Sequence, residues 1–95
     1  MATILLEIHL KLVIYQMSWH LYLLECADQT LYTGISNRLE ERIDCHNRGE
    51  GAKYTRGRLP VKLLFSREFE NRSEASKAEA FVKKLPKREK MNYFK

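Results

Sequence analysis

Tyr22 and Tyr32 fall in two short segments, HLYLL and LYTGI, whose aromatic and aliphatic content suits strands. If those strands pair as a hairpin, the two phenols come within side-chain reach. Facing phenols can share a hydrogen bond, which lowers the cost of ionising one of them. The plain alternative is that tyrosine is a good strand residue that packs at a core edge. Arg42 and His46 stand four apart and on a helix share one face. There they flank Leu39 and Ile43 along the rim of the core. A guanidinium can hold a phosphate oxygen through two parallel bonds and stabilise charge developing on phosphorus. An imidazole titrates near neutral pH and can give or take a proton. An exposed helix pair without a role is the alternative. Glu79 sits at the edge of an apolar helix face, next to Ala75 and Val82. A carboxylate there needs a partner. That partner is either a neighbouring Lys or Arg, or a hard divalent ion such as Mg²⁺, which tolerates one or two protein carboxylates with water filling the rest of its shell. A fourth group, Lys53, Tyr54, Arg56 and Arg58, lies in the stretch GEGAKYTRGRLP. Basic side chains interleaved with an aromatic suit phosphate contact plus stacking on a base; a solvated loop is the alternative.

Residues 19–26 and 31–35 are expected to form an antiparallel hairpin across the polar turn Ala27-Asp28-Gln29-Thr30. Asn37 followed by Glu40 suggests a capping box, with a helix from Arg38 to about Arg48 stopped by Gly49. Its buried stripe is Leu39 and Ile43, with Glu40, Glu41, Asp44 and Asn47 on the wet side. Residues 49–60 read as a loop and Val61 to Phe69 as a third strand. Ser73 is a candidate cap for a helix from Glu74 to about Leu85 that turns Ala75, Ala78, Val82 and Leu85 inward, ended by Pro86. Lys87 to Phe94 reads as a short basic helix. The fold class is α+β: a small three-stranded antiparallel sheet with helices packed on it, in the order β-β-α-β-α-α.

With 95 residues there is room for one modest core. Disorder is excluded by composition, since 44% of residues are hydrophobic. The net charge of +5 favours polyanionic partners. Glu7 and Lys11 cancel, so that charge belongs to residues 17–95. Residues 1–16 (MATILLEIHLKLVIYQ) are interrupted by Glu7, His9 and Lys11, short of the ~20 apolar residues of a membrane helix. They lack a basic n-region and a small-residue cleavage site. They are expected to be a dispensable leader, an extra edge strand or an oligomer contact, ahead of one domain at 17–95. Cys26 and Cys45 do not have zinc-ligand spacing and read as reduced residues of a cytoplasmic protein. His9 and His20 lack matching ligands.

Taken together these elements resemble the GIY-YIG nuclease family, in particular its small single-domain bacterial branch (YhbQ/YazA-like). His20-Leu21-Tyr22 stands for Gly-Ile-Tyr and Tyr32-Thr33-Gly34 for Tyr-Ile-Gly. Arg42 follows Tyr32 by ten residues, His46 comes four later, and Glu79 lies on the next long helix. The stretches Cys26-Ala27-Asp28, His46-Asn47, Gly51-Ala52-Lys53-Tyr54-Thr55-Arg56-Gly57 and Arg72-Ser73-Glu74-Ala75 look typical of the branch. The sequence departs from the family at His20, and Asn92 is a loose match to its late asparagine. The resemblance implies hydrolysis of DNA with one divalent cation, Mg²⁺ or Mn²⁺, held by Glu79. It implies that Arg42 stabilises transition-state charge and that Tyr22, Tyr32 or His46 helps to deprotonate water. Ordinary tyrosine ionises near pH ~10, so such a role needs tuning by a nearby cation.

The expected partner is therefore DNA, with RNA and branched DNA as variants, and no membrane. Without a fused targeting domain, cutting is expected to be weakly specific, structure-dependent or directed by a protein partner. The competing readings are a non-catalytic nucleic-acid-binding module on the same fold and a protein-interaction domain using residues 1–16 as an edge strand.

Overall fold

The computed structural model describes residues 18–95; the leader or extra strand expected at 1–16 lies outside them. Strand β1 (Trp19–Glu25) is central, flanked by β2 (Leu31–Ser36) and β3 (Lys62–Phe69). Both pairings are antiparallel. Helix α1 (Leu39–Asn47) follows β2, and α3 (Arg72–Lys83) and α4 (Lys87–Phe94) follow β3. One short helical turn, α2 (Lys53–Arg56), interrupts the stretch expected to be loop. The order is otherwise the one read from sequence.

Alternation along β1 divides the molecule into two layers. Tyr22, Leu24 and Cys26 join Leu39 and Val61 in a core under α1, with Tyr32, Ile43 and Leu59 packed against it. Leu21 and Leu23 point the other way and are equally buried. On that side Phe65 of β3 stacks on Phe94 of α4, and α3 packs across β2 and β1. A register shift between Leu23 and Leu24 marks a bulge in the β1–β3 pairing.

Two helix starts differ from expectation. Helix α1 begins after Arg38, not Asn37, because the Ser36 hydroxyl accepts from the Arg38 N–H at 3.0 Å and turns the chain one residue later. Helix α3 is capped by Asn71, not Ser73. The Asn71 side-chain oxygen Oδ1 accepts from the Glu74 N–H at 2.9 Å. Asn and Ser are comparable caps, and the earlier one takes the role. Asn47, expected on the wet side, clamps the start of β3: its amide donates to the Val61 carbonyl at 3.1 Å and accepts the Val61 N–H at 2.8 Å.

Register fixes why position 34 is glycine. Tyr22 is paired with Gly34 and its ring lies across that residue. A Cβ at Gly34 would come 2.4 Å from the Tyr22 oxygen and 2.5 Å from Cζ. Tyr22 is almost fully buried and its hydroxyl is held by His46, so it cannot swing away. Gly34→Ala is therefore expected to lower stability by about 1–3 kcal/mol, the usual cost of overpacking a core, seen as a lower urea midpoint at unchanged slope. An unchanged midpoint would contradict this packing.

Candidate active site

Helix α1, the hairpin and α2 meet over Tyr22. The Tyr22 hydroxyl lies 2.9 Å from His46 Nε2. His46 Nδ1 lies 2.9 Å from Thr55 Oγ1, and the Thr55 hydroxyl donates to the Ala52 carbonyl at 2.9 Å. Since the Thr55 proton is committed to Ala52, Thr55 accepts from His46 Nδ1–H. Nε2 is then the lone-pair nitrogen, and the phenol donates to it. The proton line runs Tyr22 O–H to His46, His46 N–H to Thr55, Thr55 O–H to Ala52. Sequence placed His46 on the rim of the core; here it is fully buried. Gly51 seals it, since a Cβ there would sit 2.4 Å from His46 Nδ1 and 2.9 Å from its Cα.

Tyr22 and Tyr32 are diagonal rather than directly opposed, with ring centroids 6.4 Å apart. The shared phenol–phenol hydrogen bond expected from sequence is replaced by the bond to His46. Tyr32 instead sits edge-on to His46 at 5.3 Å. The Arg42 guanidinium lies close enough to act on the Tyr22 phenol, and its Nη1 lies 3.9 Å from Cys45 Sγ. Burial pushes the Tyr22 phenol up to about 12, outweighing the opposing pull of Arg42. Arg42 thus pulls Tyr22 in the expected direction, but burial prevails. For Arg42 burial is the largest influence and acts downward, but Tyr22, Cys45 and Tyr32 together outweigh it and hold the guanidinium above its ordinary value.

Burial, and then the Arg42 charge, hold His46 below its ordinary pKa of 6.5. In the unfolded chain His46 takes up a proton as pH falls through about 6.5, while in the folded protein it does so only at lower pH. The unfolded state therefore binds more protons in that interval. Stability is full above about pH 6.5, falls as pH drops, and stops falling from this source once the folded value is passed. Urea midpoints between pH 8 and 5 are expected to show this decline, and His46→Gln to flatten it. A wild-type profile without the decline would contradict a buried neutral imidazole.

Glu79 comes from α3, in the other layer, yet its charge acts on the Tyr22 phenol and helps to raise it. Its carboxylate is 23% exposed and lies 3.5 Å from Lys83 Nζ, the salt-bridge alternative weighed from sequence. The basic stretch is less free than its composition suggested. Tyr54 stacks on Tyr32 at 6.1 Å, and the Arg58 guanidinium lies 3.9 Å over the Tyr54 ring. Arg58 also bonds Asp28 at 3.0 Å and the Tyr54 carbonyl at 2.8 Å. Tyr54 is thus a wall of the aromatic cluster that is still 38% exposed, and Arg58 is structurally engaged. Lys53 and Arg56 remain exposed. His20 is buried 3.3 Å from Glu68, and Asn92 is exposed on α4, outside the cluster. Sequence reasoning missed Thr55 as the partner of His46. Its only sign was a place in the typical stretch GAKYTRG.

A three-stranded antiparallel sheet whose hairpin carries two tyrosines against an arginine and a histidine defines a nuclease-type domain, and the chain belongs to the GIY-YIG family. Residues 18–92 match the GIY-YIG catalytic domain. The chain is 50% identical over 76 residues to a UPF0213 protein of Streptococcus agalactiae serotype V, covering 80% of this chain and 86% of that one. It is 53% identical over 72 residues to a UPF0213 protein of Clostridium perfringens, covering 76% and 77%. The solution NMR structure of a protein from E. faecalis matches with a TM-score of 0.57 at 45% identity, covering 80% of this chain and 81% of that one. That of a UPF0213 protein from Bacillus halodurans gives 0.52 at 42% identity, covering 81% and 82%. Among the described residues no helix is long and apolar enough to cross a membrane.

Proposed function

We propose that this protein is a divalent-metal-dependent endonuclease that hydrolyses DNA phosphodiester bonds with low intrinsic sequence specificity. The observation that carries this reading is the hydrogen-bonded line Tyr22–His46–Thr55 beside the Arg42 guanidinium, on a GIY-YIG fold. A fold kept for binding alone needs basic surface, not a buried neutral imidazole poised to accept a phenol proton.

The attacking water gives a proton to the Tyr22 oxygen as the phenol's own proton passes to His46 Nε2. Concerted transfer suits a phenol whose burial disfavours free tyrosinate. The Nδ1–H bond to Thr55 holds the ring while it carries the extra proton. Arg42 stabilises negative charge on the non-bridging oxygens. The bond from phosphorus to the leaving oxygen breaks, and that oxygen is protonated from solvent. Lys53 and Arg56 contact the phosphate backbone.

Among the described residues no three His, Cys, Asp or Glu converge as a metal site. The half-buried Glu79 carboxylate nevertheless fits Mg²⁺ or Mn²⁺, since hard cations accept one protein carboxylate with water and phosphate oxygens as the other ligands. Such an ion supplies Lewis-acid polarisation of a phosphate oxygen and charge stabilisation at the leaving oxygen.

Supercoiled plasmid and branched DNA are expected to be nicked by the wild-type protein with Mg²⁺ or Mn²⁺ and left intact with a chelator. Binding without cleavage in either metal would favour the alternative, a non-catalytic nucleic-acid-binding module.

A further inference from the structure

Beside the aromatic cluster, at the β2 edge, lies a concavity of about 360 Å³ lined by Leu31, Tyr32, Thr33, Tyr54, Lys83 and Lys90. It shares Tyr32 and Tyr54 with the candidate active site and adds Lys83, the last residue of α3, and Lys90 of α4. Two ammonium groups line it, with the Glu79 carboxylate 3.5 Å from Lys83 Nζ outside the lining. Lys83 Nζ stands 6.0 Å from the Tyr32 ring centroid. Lys90 Nζ donates to the carbonyls of Lys83 and Leu85, which tie it to the end of α3 and leave its third proton available. Thr33, on the same wall, keeps a buried hydroxyl with no hydrogen-bond partner.

We infer that this Lys83/Lys90 concavity is a second phosphate subsite, which seats a backbone phosphodiester next to the one being cut and so fixes how the nucleic-acid strand crosses Tyr32. Lys90, tied by two carbonyls beside Lys83, offers with it a positive site at low ordering cost. Tyr32, common to both sites, places them within one strand of each other. The inference rests on the nuclease reading for its position beside a scissile bond, but seating a phosphate needs no cleavage.

The test uses the full chain carrying Glu79→Gln, so that DNA survives and the Lys83–Glu79 pair does not confound the result. Binding of a fluorescent duplex and of a single strand is measured by anisotropy from low to moderate NaCl. Adding Lys83→Gln is expected to reduce the salt slope of log K by about 0.9 for the duplex and about 0.7 for the single strand, one counterion's worth. Lys83→Arg is expected to keep the slope, and Lys77→Gln, elsewhere on α3, to leave it unchanged. An unchanged slope with Lys83→Gln, or an equal loss with Lys77→Gln, would overturn the subsite. So would inorganic phosphate binding that Lys83→Gln abolishes but that leaves strand binding untouched, which would mark a site for the free ion. Absence of cleavage by wild type would sink the nuclease reading and leave the slope result standing.

Discussion

Replacing Glu79 by glutamine is expected to slow metal-dependent DNA cleavage by about 10³-fold while leaving the fold intact. Glutamine keeps the volume and helix preference of glutamate but removes the charge that a hard cation requires. Metal assistance is worth several kcal/mol of transition-state stabilisation; at about 1.4 kcal/mol per decade, ~4 kcal/mol corresponds to that loss. Stability should barely move. Among the described residues the ion pair lost is to Lys83, one helical turn away and half exposed, and such pairs contribute about 0.3–0.5 kcal/mol. Removing a negative charge near Tyr22 also cannot raise its phenol further, since Glu79 acts upward on it now. Single-turnover nicking rates over a Mn²⁺ series, with thermal melts of both proteins, separate the two effects. A variant within tenfold of wild type at saturating metal would take the metal away from Glu79.

The same residue shows what the sequence reveals and what it withholds. Its place on the α3 edge follows from helical periodicity, because Ala75 and Val82 on the same face are fully buried. Its relation to Tyr22 does not, because it depends on how α3 lies across the sheet. The element order was legible for the same reason: strand lengths, the hairpin turn and the Pro86 break are local signals. Caps were harder, since Asn71 and Ser73 compete on nearly equal terms. Hardest was the burial of His46. A helical wheel puts it at the rim; the chain at Gly51 and Thr55 then folds over it and turns a rim residue into an interior one. Residues nine apart across a turn leave no periodic trace. Tyr54 and Arg58 make more contacts within the fold than composition suggested, for a related reason. Asp28, thirty residues earlier, and Tyr32 had claims on them that composition cannot show.

Which group takes the water's proton was open from sequence, and the hydrogen bonds now give a sharp expectation. Tyr22→Phe should cost roughly 10²–10⁴-fold in cleavage rate, the range of a lost general base. Tyr32→Phe should cost much less, because its ring meets His46 edge-on at 5.3 Å whereas the Tyr22 hydroxyl is 2.9 Å from Nε2. Tyr22→Phe removes one oxygen and leaves a buried imidazole nitrogen without its donor, at about 1–3 kcal/mol of stability. Rates must therefore be compared well below either melting temperature. The pH profile distinguishes a chemical role from a packing one. Wild-type cleavage should fall on the acid side once His46 is protonated, at a pH below 6.5, because a protonated Nε2 cannot accept from the phenol. In Tyr22→Phe the residual rate should lose that acid limb, since nothing remains to hand a proton to His46. Retention of the limb, or a collapse confined to Tyr32→Phe, would move the base to Tyr32 and reduce the Tyr22–His46–Thr55 line to a structural brace.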